Sequence, residues 1–186
     1  MVWMVLGVLV VVAVLVVLYL IVAYNGLVRL RNAAQEAWAQ IDVQLKRRYD
    51  LIPNLVETVK GYASHEKDTL ERVVKARQAG ISASTVEDQA AAENMISGAL
   101  RQLFALSEAY PDLKANQNFL SLQEELSSTE NKIGFARQYY NDQVRAMNTR
   151  VEMFPTNIIA GLFGFKRMGF FELEDGAARE APKVSF

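Results

Sequence analysis

Residues 2–23, VWMVLGVLVVVAVLVVLYLIVA, are 22 consecutive residues without a charge. Coiled as a helix at 1.5 Å per residue, such a run reaches about 33 Å, enough for a hydrocarbon core about 30 Å thick. Inside lipid only a helix can satisfy its own backbone N–H and C=O groups, so the first element is fixed before any other. A cleaved signal peptide would need a basic n-region, a shorter apolar stretch of about 7–15 residues and a small-residue cleavage site. The chain has no basic n-region, and Leu20-Ile21-Val22-Ala23-Tyr24 offers no good cleavage pattern. The expectation is a transmembrane anchor over residues 1–24, with Trp3 at one end and Tyr19 and Tyr24 at the other as interfacial aromatics.

Charge begins only past the anchor. All 20 Lys/Arg and all 21 Asp/Glu follow Tyr24, for a net charge of -1. Arg29 and Arg31, then Lys46, Arg47 and Arg48, flank the C-terminal side of the run. The positive-inside rule therefore places the N-terminus outside and the rest of the chain in the cytoplasm. The balanced charge gives no reason to expect nucleic acid as a partner. With no Cys, disulfides, thiolate metal sites and Cys nucleophiles are excluded.

The remainder reads as helix. Trp38, Ile41, Leu45, Ile52, Leu55, Val59 and Tyr62 recur at helical spacing, with polar residues between them. Met95, Ala99, Leu103 and Leu106 mark a second stripe. A third comprises Phe119, Leu122, Leu126, Ile133, Ala136, Tyr140, Val144, Met147 and Val151. Residues 80–85 are expected as a loop, with Ser84 or Thr85 capping the next helix. Tyr110-Pro111-Asp112 and Pro155 are expected stops. Pro53 is the ambiguity, because a proline costs a helix interior one hydrogen bond but is tolerated in a first turn. Segments 28–50, 53–79 and 86–109 match in length at about 35–40 Å each. That matching favours a turn at Pro53 and an all-α chain: a transmembrane helix, then an antiparallel up-and-down four-helix bundle. The stripe running unbroken across Pro53 favours the alternative, three long helices with a kink.

Two blocks carry a family resemblance: WAQIDVQLKRRYDLIPNLVETVKGYASHE at residues 38–66, and YPDLKANQNFLSLQEELSSTENKIGFARQYYNDQVRAMNTRVEMFPTNIIAGLFGF at 110–165. In order, they resemble the pattern of the LemA family. Met147 stands where that pattern leads one to expect an aromatic residue. The resemblance implies a single-pass bacterial inner-membrane protein with a cytoplasmic helical bundle, and no enzymatic activity.

Catalytic readings fail on residue types. HEKDTLE at residues 65–71 begins like a zinc-binding helix, but position 69 is Thr69 rather than a second His. One His, His65, cannot supply the paired Glu-x-x-His motifs of a di-iron bundle. No G-x-S-x-G elbow and no complete phosphate loop exist. Neither a metal, a cofactor nor a catalytic residue is expected. Arg47 and Arg48 are read as pairing residues, with helix neighbours such as Gln44 or Asp50, or a carboxylate across the bundle such as Glu124, Glu125 or Glu130, as partners. Asn54, Asn131, Asn141 and Asn148, poor helix formers, are read as interhelical hydrogen-bonding residues.

The last informative stretch is 154–171, aromatic and uncharged as far as Lys166. It is too short to span a bilayer. Phe154, Ile158, Ile159, Leu162, Phe163 and Phe165, followed by Lys166 and Arg167, suit an interfacial segment meeting anionic headgroups. Two other readings stay open: a cap on the bundle, or a contact between copies. Arg29 and Arg31 are candidate headgroup contacts. The domain plan is thus anchor 1–24, bundle 25–153, aromatic segment 154–171 and tail 172–186. The function expected is a non-enzymatic scaffold at the membrane that contacts lipid and self-associates as a homo-oligomer or recruits an unknown membrane protein. The alternative is an adaptor or regulator of a membrane-embedded enzyme such as a quality-control protease.

Overall fold

The structure, a computed structural model, describes residues 1–172; the expected tail lies outside them but for Glu172. Among the described residues there are six helices and no strand: α1 (Val2–Lys60), α2 (Lys67–Ser82), α3 (Val86–Ser107), α4 (Pro111–Lys114), α5 (Gln117–Glu152) and α6 (Thr156–Leu162). Contacts divide the chain into two compact units, not at the hydropathy boundaries of the domain plan. One comprises Met1–Gln40 and Ala136–Gly169, the other Ile41–Phe135 with Phe170, Phe171 and Glu172.

The second unit corrects the reading of Pro53. The chain does not turn there: Pro53 lies inside α1, which continues to Lys60. The reason is local. Proline at position 53 cannot donate to the carbonyl of Tyr49, and the Arg77 Nε of α2 donates to that oxygen at 2.7 Å instead. The lost helical bond is replaced from the neighbouring helix. The turn comes at residues 61–66, where Gly61 follows the last helical residue and the buried Ala63 donates its N–H back to the Val59 carbonyl. The four-helix, up-and-down arrangement therefore survives with a shifted corner, formed by the end of α1, α2, α3 and the start of α5.

Smaller expectations shift with it. α2 runs to Ser82, so the loop shrinks to residues 83–85, and Thr85 caps α3 by accepting from the Asp88 N–H at 3.0 Å. The core of this unit includes Ile41, Leu45, Ile52, Leu55, Val59, Ile96, Leu103, Phe119, Leu126 and Ile133. Tyr62 and Met95 do not join it, being exposed; the Tyr62 hydroxyl instead accepts from Asn116 Nδ2 at 2.9 Å. His65 sits exposed in the turn. Gly80 is required by packing: a Cβ there would lie 2.6 Å from the Tyr49 hydroxyl oxygen.

In the first unit α1 meets the C-terminal part of α5, Trp38 against Tyr140 with ring centroids 5.3 Å apart. Leu27, Met147, Ile159, Ala160 and Phe165 form its core cluster. The α1 run before Leu20 is bare: Val8 is 63% and Val17 53% exposed, and no residue of its most apolar window is buried. Helix α1 is long and apolar enough there to cross a membrane.

Candidate functional site

Two places concentrate polar or exposed apolar groups, one in each unit. In the second unit Arg48 and Glu93 are both buried, and Arg48 Nη1 donates to Glu93 Oε2 at 2.9 Å. Arg48 Nη2 reaches the Ser97 hydroxyl at 2.9 Å and Glu130 at 2.8 Å. The Tyr49 hydroxyl donates to Glu93 Oε1, and Gln89 Nε2 donates to the same hydroxyl at 2.6 Å. Burial pushes the Glu93 carboxyl up, opposed by Arg48 and the hydrogen bonds from Tyr49 and Gln89. Burial, and then the adjacent Glu93, push the Tyr49 phenol well above its usual range, so Tyr49 keeps its proton and donates it.

With Arg77 on the Tyr49 carbonyl, this network joins α1, α2, α3 and α5. Arg48, Glu93, Tyr49, Gln89 and Ser97 are bound chiefly to one another. The network is a structural clamp. The expected pairs of Arg47 and Arg48 are found, with Glu125 at 3.6 Å and Glu130 at 2.8 Å respectively. Glu93, Gln89 and Ser97 were not singled out by sequence. Their one signal is a carboxylate set among alanines in AAAENMISGAL, on the face that helical spacing turns inward.

The first unit presents a surface. Tyr19 and Thr156 side-chain oxygens lie 3.3 Å apart, and Tyr24 packs edge-on against Phe163 at 4.8 Å and Phe165 at 5.7 Å. These contacts tie α6 to the end of the apolar run. Helix α6 and the residues flanking it then divide between two sides. Ile159, Ala160 and Phe165 turn inward, while Phe154, Ile158, Leu162 and Phe163 are 78%, 55%, 74% and 59% exposed. Ile159 (1% exposed) and Phe165 (8%) are thus core residues, a correction to their place among the contact candidates. The cause is periodicity: Ile158 and Leu162 share a face four residues apart, and Ile159 lies about 100° round from it. The segment thus contributes some residues to the core of its unit and leaves others exposed.

The cations fall around this face. Lys166 and Arg29 are exposed. The Arg31 guanidinium sits 5.3 Å over the Phe165 ring, and Arg167 pairs with Glu152 at 3.1 Å. Trp3, at the far end of the run, is 86% exposed. Beside Tyr19 and Thr156 lies a cleft of about 420 Å3, into which Arg29 and Arg150 both face. Sequence reasoning missed Arg150 because it occupies the last turn of α5, where only the antiparallel return of that helix brings it to Arg29. No three His, Asp or Glu side chains among the described residues converge as a metal-ligand set.

Comparison with known proteins adds the following. The family model described as "LemA family" matches residues 37–186. Protein LemA of Metamycoplasma hominis is 28% identical over 156 residues, covering 81% of this chain and 69% of that protein. Magnetosome protein MamQ of Magnetospirillum gryphiswaldense is 25% identical over 178 residues, covering 82% of this chain and 65% of that protein. Magnetosome protein MamQ 2 of Paramagnetospirillum magneticum is 26% identical, at 82% and 66% coverage. The chain thus spans about two thirds of the length of these relatives.

Proposed function

This chain belongs to the LemA family, and on that premise we propose that it is a non-enzymatic, membrane-anchored helical scaffold whose α6 face rests on the bilayer surface. One observation carries the reading. The exposed apolar residues of α6 are fastened, through Thr156 and Phe163, to Tyr19 and Tyr24 at the end of the unburied apolar run. When residues 2–23 span a bilayer, that attachment delivers Ile158, Leu162 and Phe163 to the boundary between acyl chains and headgroups. Lys166, Arg29 and Arg31 then meet anionic headgroups. The N-terminus lies outside and the helices beyond Asn25 are cytoplasmic, where they recruit a partner or a second copy.

Because the chain contains no Cys, a single cysteine in place of Leu162 can carry a fluorophore at one known site. Brominated phospholipid in reconstituted vesicles is expected to quench it. Equal intensity in brominated and ordinary vesicles would reject the surface contact. Replacing Ile158 and Leu162 together by Ser should leave thermal stability within about 1 kcal/mol, since exposed side chains lose little on truncation. It should abolish the lipid contact, to which each contributes at most about 1.5–3 kcal/mol. A large fall in stability would instead make the face part of a core, and a changed oligomer size would make it a subunit contact.

Orientation is tested separately. The excess of Lys/Arg beyond residue 24 predicts that alkaline phosphatase fused after Phe186 is inactive and a cytoplasmic fluorescent reporter there is bright. Active phosphatase would reverse the topology.

A further inference from the structure

The cleft beside Tyr19 is built in two halves. Along α1, Tyr19, Val22, Gly26 and Arg29 follow at steps of three and four residues and so line one face of the helix. The end nearer the N-terminus is lined by Val22, Ala23 and the Tyr19 ring, with the Tyr19 hydroxyl against Thr156. The other end carries two guanidinium groups, Arg29 from α1 and Arg150 from the last turn of α5. Neither arginine makes an ion pair among the described residues. The volume, about 420 Å3, falls within the range of small-molecule sites, about 300–1,000 Å3. A Cβ added at Gly26 would meet nothing within 4 Å, so a larger side chain there has room to occupy the cleft.

A cleft with Val22, Ala23 and a tyrosine ring at one end and two guanidinium groups at the other matches one kind of ligand: an anion with an acyl chain attached. Guanidinium forks recognise phosphate oxygens in a bidentate way, and two cations lining one cleft favour an anion there. The low dielectric at the edge of the acyl region strengthens that attraction over its value in water. We propose that the cleft is a binding site for the phosphate headgroup of an anionic phospholipid, held by Arg29 and Arg150 with its glycerol end against Tyr19, Val22 and Gly26. This rests on reading residues 2–23 as a membrane span, and it goes beyond surface contact by α6 to a discrete, headgroup-selective site.

The test uses the full chain purified in a neutral detergent, with fluorescent phosphatidylglycerol as probe and unlabelled phosphatidylglycerol, phosphatidylcholine and inorganic phosphate as competitors. Phosphatidylglycerol should compete about tenfold more strongly than phosphatidylcholine, whose phosphate is the same but whose trimethylammonium group is repelled by the two guanidinium groups, and equimolar inorganic phosphate should not compete. Arg29→Gln with Arg150→Gln should weaken the probe by about tenfold or more. Gly26→Leu, which fills the cleft and replaces glycine by a better helix former, should weaken it too without lowering the melting temperature. Equal competition by the two lipids together with unchanged binding in both variants would overturn the site. Displacement by inorganic phosphate as effective as by lipid would overturn the lipid assignment in favour of a soluble anion. Carbonate extraction of membranes, run in parallel, tests the span alone. A chain released by carbonate would sink the anchor reading, whereas the variants' behaviour in detergent reports on the cleft alone.

Discussion

Glu93→Ala is expected to lower the unfolding free energy by about 3–5 kcal/mol, because it strands a buried guanidinium. Arg48 is 2% exposed and its side chain cannot shed its charge. Its remaining partners, Ser97 and the half-exposed Glu130, satisfy only one nitrogen. Arg48→Met should cost a similar amount near neutral pH but behave differently on acidification. Burial already raises the Glu93 carboxyl, and losing Arg48 removes the main opposing influence, so the folded variant holds a proton where the unfolded chain has released it. Native protein then binds more protons than unfolded, and stability falls as pH rises from about 4.3 through the folded value. The deficit against wild type should therefore be smaller at pH about 4.5 than at about 7.5, in denaturant melts at the two pH values. Arg48→Met with Glu93→Leu should recover much of either single loss, since paired apolar replacements of buried ions are often near neutral. A double variant as unstable as the sum of the singles would refute the account of the clamp.

The clamp also separates what hydropathy could show from what it could not. The apolar run, the helical class, the cap at Thr85 and the stop before Pro155 are all encoded within a few neighbouring residues, and each was legible. Pro53 was not. Its effect depends on whether the Tyr49 carbonyl finds another donor, and the donor is Arg77, 28 residues on. The glycine at position 61 was the better punctuation mark, outweighed by a proline whose cost is removed by tertiary contact. Glu93 stayed hidden for a related reason: the pattern of apolar residues marks a face as buried but not which polar residue on it is paid for by a partner on another helix. In the aromatic segment the chemistry was visible but the sides were not. Ile158 and Ile159 are the same residue type, and only packing against Leu27 and Met147 separates the outward side chain from the inward one.

Asn148→Ala is expected to cost about 2–4 kcal/mol and to loosen the segment that follows α6. Asparagine is a poor choice for a helix interior, yet Asn148 is only 5% exposed on α5. Its amide closes a two-way clamp: Nδ2 donates to the Met168 carbonyl at 3.0 Å, and the Met168 N–H donates to Oδ1 at 2.8 Å. About two turns earlier on the helix, the Tyr140 hydroxyl donates to the Gly169 carbonyl at 2.9 Å. Truncation at 148 leaves a donor and an acceptor of the main chain without partners in a part-buried site, each costing about 1–3 kcal/mol. Residues 163–169 have no helix of their own to hold them, so their position depends on these side chains. Phe165 packs from this segment against Tyr24 and beneath Arg31, so loosening it should also disturb the proposed lipid-facing surface. Asn148→Asp keeps the acceptor for the Met168 N–H while losing the donor, and should fall between wild type and Ala. Hydrogen exchange at the Met168 amide checks the mechanism directly: it should quicken in Asn148→Ala far more than in Asn148→Asp. Equal exchange in wild type and Asn148→Ala would mean that the segment is held by its apolar contacts alone.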